Sequence, residues 1–222
     1  MMPTLTLMAK APRPGMVKTR LMPMCSAQEA AEVASILLRL SLEHCMRHWP
    51  GRVVLAVWPD TVHPIFSELS DRYGITLIRQ SAGDLGEKMH SILISSGSNG
   101  GSVAVMGSDI PHLPCTTLTR AYDALSRRAN VVGPTRDGGF FFLGLGHPAP
   151  GLFSGIEWGT PDVYARMLCN AKALALNFDV TLDTIDDIDC AADLQRVVAY
   201  HQPLRNALRA ERICVRLVDE VT

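Results

Sequence analysis

Four cations crowd the first loop of the chain. Lys10, Arg13, Lys18 and Arg20 lie within eleven residues of the segment A-K-A-P-R-P-G-M-V-K-T-R-L, Ala9–Leu21, with no acid among them. Placed at the end of a strand, such a loop can hold a di- or triphosphate through charge-assisted hydrogen bonds. Gly15 lets backbone approach a ligand, while Pro12 and Pro14 stiffen the path. The competing reading is a solvated basic loop, in which a lysine contributes little to stability. Neither G-x-x-x-x-G-K followed by Ser or Thr nor G-x-G-x-x-G occurs here, so any phosphate site is built differently from those two.

Carboxylates supply the second chemistry. The run V-A-V-M-G-S-D-I-P-H-L, Val103–Leu113, reads as an apolar strand delivering Asp109 to its end, with Pro111 preventing continuation. A carboxylate there can take Mg²⁺ or Mn²⁺ that already bridges substrate phosphates; the alternative is a helix N-cap. In Gly133–Leu145, Arg136 and Asp137 precede Gly138 and Gly139, where a ligand could approach the backbone, although Asp-Gly-Gly is equally a hairpin signal. Near the end, Asp183, Asp186, Asp187, Asp189 and Asp193 stand together without a cation. Some of them suit a helix N-terminus, and one could face Asp109 as a second metal ligand.

Histidine and cysteine offer less. His44 and His48 share a helical face without a third ligand, and His112 is near enough to Asp109 to contact substrate. Six cysteines occur with no C-x-x-C pair, which suits neither a zinc site nor a disulfide scaffold, and they are expected to pack as small apolar residues.

Elements must place these groups. Strands are predicted at Leu5–Met8, Arg52–Trp58, Ile75–Ile78, Ser102–Met106, Asn130–Gly133, Phe140–Leu145 and Ala175–Val180, several of them nearly continuous apolar runs as in strands covered on both faces. Helices are predicted from Ser26, with Glu29 completing a capping box, to His48, and over Pro64–Tyr73, Leu85–Ser95, Thr116–Arg127, Thr160–Ala173 and Ala191–His201. Beyond Pro203, Ile213, Val215 and Leu217 alternate like an edge strand. Strand–helix alternation points to a mainly parallel sheet between helical layers, with ligands beyond the carboxyl ends of its strands.

Size and composition agree. The 222 residues fit one domain, 1–222, and 47% hydrophobic with 19% charged residues suits a globular core. A net charge of −1 provides no global attraction to nucleic acid or an anionic membrane. The opening apolar run is too short to span a bilayer and lacks a signal peptide's charge order, so a cytoplasmic, reduced protein is expected.

Taken together, the segments resemble the nucleotide-diphospho-sugar transferase superfamily with the GT-A fold. They are most similar to a bacterial branch of glycosyltransferase-like proteins, related to molybdenum-cofactor and 2-phospholactate guanylyltransferases. Ala9–Leu21, D-L-G-E-K-M at Asp84–Met89, G-S-D-I-P-H-L at Gly107–Leu113, G-P-T-R-D-G-G-F at Gly133–Phe140 and L-F-S-G-I-E-W-G-T at Leu152–Thr160 carry the resemblance in order. It implies a three-layer α/β/α sandwich around a mixed, mainly parallel sheet. It also implies nucleotide binding at Ala9, Lys10, Gly15, Lys18, Arg20, Gly107 and Ser108, with Lys18, Asp109 and Asp137 catalytic. Acceptor recognition falls to Arg136, Gly138, Gly139 and Thr160, and a Mg²⁺ or Mn²⁺ to Asp109 and Asp189. Asp189 follows from the D-x-D-T-P-E-D-L segment of related synthetases, of which Asp187-Ile-Asp189-Cys-Ala-Ala-Asp193-Leu194 keeps the aspartates but not Thr, Pro or Glu. Gly159 also stands where serine is common.

The implied partners are a nucleotide or nucleotide sugar and a small-molecule acceptor. Glycosyl transfer from a nucleoside-diphosphate sugar is favoured, because the G-G-x-S-x-R of nucleotidyltransferases is missing from the first loop. Nucleotidyl transfer to a phosphorylated acceptor, with release of pyrophosphate, is the alternative, and a non-catalytic nucleotide-binding module a second one.

Overall fold

Period-two alternation divides the strand side chains between two faces of one sheet. In the computed structural model, which describes residues 2–97 and 100–214, β1 (Thr4–Lys10), β2 (Arg52–Trp58) and β4 (Val103–Gly107) send Leu5, Leu7, Leu55, Val57, Ala104 and Met106 to one side. There they meet α1 (Ala27–His48), α2 (Pro64–Tyr73) and α4 (Cys115–Ser126). Ala56, Val103 and Val105 point the other way, onto α3 (Leu85–Gly97) and α5 (Val163–Ala173). With β3 (Thr76–Arg79), β5 (Val131–Pro134), β6 (Phe140–Leu145) and β7 (Val180–Thr181), the order is β3-β2-β1-β4-β6-β5-β7. Only β6 runs antiparallel to its neighbours. This is the expected three-layer, mainly parallel, mixed sheet.

A consequence of that topology positions the site. Met8 pairs with Gly107, and Met106 with Phe142 on the antiparallel β6. The ends of β1 and β4 and the start of β6 therefore share one edge, onto which the loops after Lys10, after Gly107 and before Phe140 all open.

Helix α1 is long because it buries two stripes. Leu38, Leu42 and Cys45 face the sheet, whereas Val33, Ile36 and Leu37 face α6 (Ala191–Tyr200) and α7 (Gln202–Ala210). Its start is the expected capping box: Ser26 Oγ accepts from Glu29 N–H at 3.2 Å, and a Glu29 carboxylate oxygen accepts from Ser26 N–H at 2.8 Å.

Three expectations about elements need correction. Of the predicted seventh strand only Val180 pairs, with Thr181 beyond it, since Ala175 turns the chain at φ 53° and Asn177 and Asp179 instead accept hydrogen bonds from Asn130. Helix α5 begins at Val163 rather than Thr160, because the Thr160 hydroxyl closes a turn onto Glu157 O and Pro161 follows. After Tyr200 the chain forms α7. Pro203 does not end it but occupies its first turn, where the missing N–H has no partner to lose, and His201 Nδ1 caps it by accepting from Leu204 N–H at 3.2 Å. Ile213 is buried after this helix, while Val215 and Leu217 lie outside the described residues.

The cysteines meet the expectation of apolar packing only in part: Cys25, Cys45 and Cys214 are buried in the core. Cys25 and Cys214 are joined as a disulfide, Cys45 is buried, and Cys115 and Cys169 are exposed. No helix among the described residues is long and apolar enough to cross a membrane.

Candidate active site

Lys18 is drawn into the cleft by its own backbone. The loop after β1 is pinned at its base, where Ala11 N–H donates to Trp58 O at 2.7 Å and Arg13 pairs with Asp60 at 3.1 Å. Buried Val17 and Leu21 then anchor the chain on either side of Lys18, which takes a left-handed conformation at φ 46° before a short 3-10 turn, Thr19–Leu21. Its side chain is only 10% exposed. The ammonium donates to Asp109 Oδ2 at 2.7 Å and to Asp189 Oδ1 at 2.9 Å. The solvated-loop reading therefore fails for Lys18. Arg20, 76% exposed, reaches Asp189 at 3.9 Å.

Two segments far apart in sequence bring the carboxylates together. Asp109 follows β4, and a side chain at Gly107 would crowd its Oδ1. Ile188 N–H donates to Asp109 O at 3.2 Å, tying the acidic run to the end of β4. Ile188 is fully buried while the residues on either side, Asp187 and Asp189, both line the cleft. The D-I-D alternation thus sends its isoleucine into the core and its carboxylates to the site.

Charge is unevenly compensated. Burial by itself would lower the Lys18 ammonium, but Asp109 and Asp189 outweigh it and hold the group well above an ordinary lysine. Asp187 forms no ion pair among the described residues. Burial, reinforced by Asp109, Asp189 and Asp137 and only partly opposed by Lys18, pushes it up to about 8, and its buried Oδ1 has no hydrogen-bond partner.

The other acids of the run have different work. Asp193 caps α6, accepting from Cys190 N–H at 2.9 Å and from Asp189 N–H at 3.2 Å. Asp186 binds Arg136 through its backbone at 3.0 Å and its guanidinium at 2.9 Å. Asp183 pairs with Arg120 at 3.4 Å.

The cleft measures about 730 Å³, within the range of small-molecule sites. It is lined by Lys10, Lys18, Arg20, Gly107, Ser108, Asp109, Asp137, Gly139, Thr160 and Asp189 from among the sequence candidates. Ala9, Gly15, Arg136 and Gly138 are not in its lining. Ala9 is buried in β1 and its carbonyl accepts from Gln80, Gly15 makes a turn at φ 76°, and Arg136 is held by Asp186. Gly138 is needed for packing: at φ 89°, a Cβ would lie 1.9 Å from Pro161 O. Asp137 Oδ1 accepts from Gly139 N–H at 3.1 Å and from the Thr135 hydroxyl at 2.5 Å, a hairpin-turn arrangement that still leaves Asp137 on the cleft.

His112 is not in the lining; it packs against Tyr200, and burial chiefly holds it down to about 4. Sequence reasoning gave Asp187 no separate role and passed over Trp158, Leu85, Met89 and Phe140 as walls of the cleft. The alternation about Ile188 was the available signal for the first.

Among the described residues no three His, Cys, Asp or Glu side chains form a ready metal-binding group. The donor set nevertheless suits a hard cation. Asp109 and Asp189 already share a positive charge, supplied by Lys18, and the orphaned oxygen of Asp187 is in the same cleft. All-oxygen ligands of this kind fit Mg²⁺ or Mn²⁺.

Comparison with known proteins places this geometry. No curated protein matches the sequence. A crystal structure from Desulfovibrio desulfuricans G20, described as a "putative nucleotide-diphospho-sugar transferase", is 25% identical, with a TM-score of 0.81 and 97% of each chain covered. The 4-diphosphocytidyl-2C-methyl-D-erythritol synthase of Anaerococcus prevotii DSM 20548 shares the fold at 12% identity and a TM-score of 0.59, over 90% of this chain and 96% of that one. Rv0371c of Mycobacterium tuberculosis H37Rv, solved in complex with manganese, is 15% identical with a TM-score of 0.50, over 89% and 98% of the two chains. The architecture is that of the nucleotide-diphospho-sugar transferases. A family model matches residues 41–160, more than half of the chain, and the protein accordingly belongs to the family described as "Uncharacterized protein conserved in bacteria (DUF2064)".

Proposed function

We propose that this protein is a metal-dependent transferase acting on a nucleotide substrate, and that it transfers a glycosyl group from a nucleoside-diphosphate sugar to a small acceptor. The observation that carries the reading is the Lys18 ammonium held between Asp109 and Asp189 at 2.7 and 2.9 Å, at the edge where β1 and β4 end. Its relatives of known fold include nucleotide-using transferases, and one neighbour was solved with manganese.

Asp109 and Asp189 would hold Mg²⁺ or Mn²⁺, with Asp187 alongside. When bound, the metal supplies positive charge to the departing diphosphate. Lys10, Lys18 and Arg20 bind and orient the phosphates, so that charge developing on the leaving group meets cations already in place. Gly107, Ser108 and Gly139 let backbone approach the ligand. Asp137 and Thr160, both in the lining of the cleft, face the acceptor.

The test combines binding with product analysis. Nucleoside triphosphates and sugar nucleotides are screened with Mg²⁺ or Mn²⁺ for an increase in melting temperature that grows with ligand concentration. The best ligand is then incubated with candidate acceptors. Release of a nucleoside diphosphate supports glycosyl transfer, whereas pyrophosphate from a triphosphate replaces it with nucleotidyl transfer. Failure of every nucleotide to bind would remove the nucleotide reading altogether.

A further inference from the structure

The cleft is chemically two-sided. Lys18, Arg20, Asp109, Asp187 and Asp189 give it a charged part, and a second part of the lining is mainly apolar. Trp158, Leu85, Met89 and Phe140 wall that second part, next to the layer made by α3 and α5. Leu85 is 45% exposed although it lines a concavity. A phosphate or a metal has no use for such a surface; a ring with an apolar face does.

The indole of Trp158 is held in place for contact. It meets Phe140 edge-on, with centroids 6.4 Å apart and planes at 71°, and Phe153 lies at 5.9 Å on another side. Against α3 it rests on bare backbone: a Cβ at Gly86 would lie 2.7 Å from Trp158 Cζ2. The ring remains half-buried, and its N–H makes no hydrogen bond with the described residues. A fixed aromatic surface with an unused donor, in a cleft that also presents Lys18 and Arg20, has the properties of a stacking platform.

We infer that Trp158 stacks on a ring of the substrate, a nucleobase or a sugar, attached to the phosphates held by the charged part. This rests on the transferase reading and extends it to the part of the ligand that confers selectivity. The glycine at 86 is then a positioning residue, acting through the indole it allows to settle.

The experiment needs a ringless control. Binding is measured by calorimetry and tryptophan fluorescence, in the presence of Mg²⁺, for inorganic pyrophosphate, for the uridine, cytidine, adenosine and guanosine diphosphates, and for glucose 1-phosphate. Trp158→Ala is expected to weaken a ring-bearing probe about tenfold, the scale of one base stacked on an aromatic side chain, and to leave pyrophosphate unchanged. Trp158→Phe should keep most of the affinity. Gly86→Ala should lose it while retaining the fold, since alanine is favoured in a helix. An effect on the nucleoside diphosphates identifies the base as the stacked ring, and an effect confined to glucose 1-phosphate identifies the sugar. If pyrophosphate binds, but Trp158→Ala and the parent hold every ring-bearing probe equally, the platform is refuted while the phosphate site stands. If the parent binds neither pyrophosphate nor any ring-bearing probe, the transferase reading fails and the platform with it.

Discussion

A lysine clasped by two aspartates can serve as ligand group and structural tie at once, and substitution separates the roles. Lys18→Met removes the cation that touches both Asp109 and Asp189. Because those carboxylates are only partly buried, the expected cost is about 1–2 kcal/mol, or roughly 5 °C in the melting temperature of a chain this long. Added Mg²⁺ should raise the melting temperature more in this variant than in the parent, and an unchanged metal-free value would show the clasp to be idle. Asp109→Asn is the complementary case. It should leave the metal-free protein folded, with native far-UV circular dichroism, and abolish metal-dependent nucleotide binding; titration with undiminished metal dependence would remove Asp109 from the metal assignment. Asp187 carries a pH signature. Its native form keeps a proton that the unfolded chain gives up near the ordinary value of about 4, so the metal-free protein loses stability as pH rises from there to about 8. Asp187→Asn should therefore melt higher than the parent at pH 8 and converge with it near pH 4. Parallel curves across that window would contradict the assignment.

At the scale of elements, the site depends on where segments start and stop. Helix α1 begins one residue after Ser26, with five residues, 22–26, between it and the 3-10 turn that follows Lys18. Its capping box satisfies two backbone N–H donors reciprocally. Ser26→Ala should cost about 1 kcal/mol, read as a lower urea midpoint with an unchanged slope; a midpoint equal to the parent's would mean the exposed box adds nothing. The D-I-D segment works similarly. It has no regular secondary structure, yet Ile188, buried against α1 and α6, fixes which way its neighbours face. On the other side of the cleft, the close contact of Gly138 with Pro161 joins the turn before β6 to the loop that carries Trp158 and Thr160.

For the whole molecule, α6 and α7 close the α1 side of the sandwich, and three histidines lie at this junction. Burial, then neighbouring positive groups, holds His44 and His112 down to about 4, and burial lowers His201, whose neutral Nδ1 caps α7. The native protein thus stays neutral at these positions while the unfolded chain takes up protons below about 6.5. Stability should be level above that value and fall as pH drops from about 6.5 towards 4. Asp187 acts in the opposite direction, so the clean measurement is urea unfolding of Asp187→Asn at pH 7.5 and 5. Equal stability at the two values would show that the junction does not exclude protons.

Much of this was legible in the sequence, and for a local reason. Continuous apolar runs gave β2 and β6 at their observed bounds, and Ser26 with Glu29 gave the start of α1, because these signals act over a few residues. The basic loop and the aspartates were recognisable by residue type alone. What tertiary structure decided was pairing and direction. Nothing in the spacing of Arg13, Lys18 and Arg20 says that the first turns to Asp60, the second is buried between carboxylates and the third stays in solvent. Nor does the acidic run announce that Asp193 caps a helix, Asp186 holds Arg136, and Asp187 and Asp189 face the cleft. Those assignments depend on which element each side chain meets across the fold, and in Asp187 on burial that no neighbour in sequence reveals.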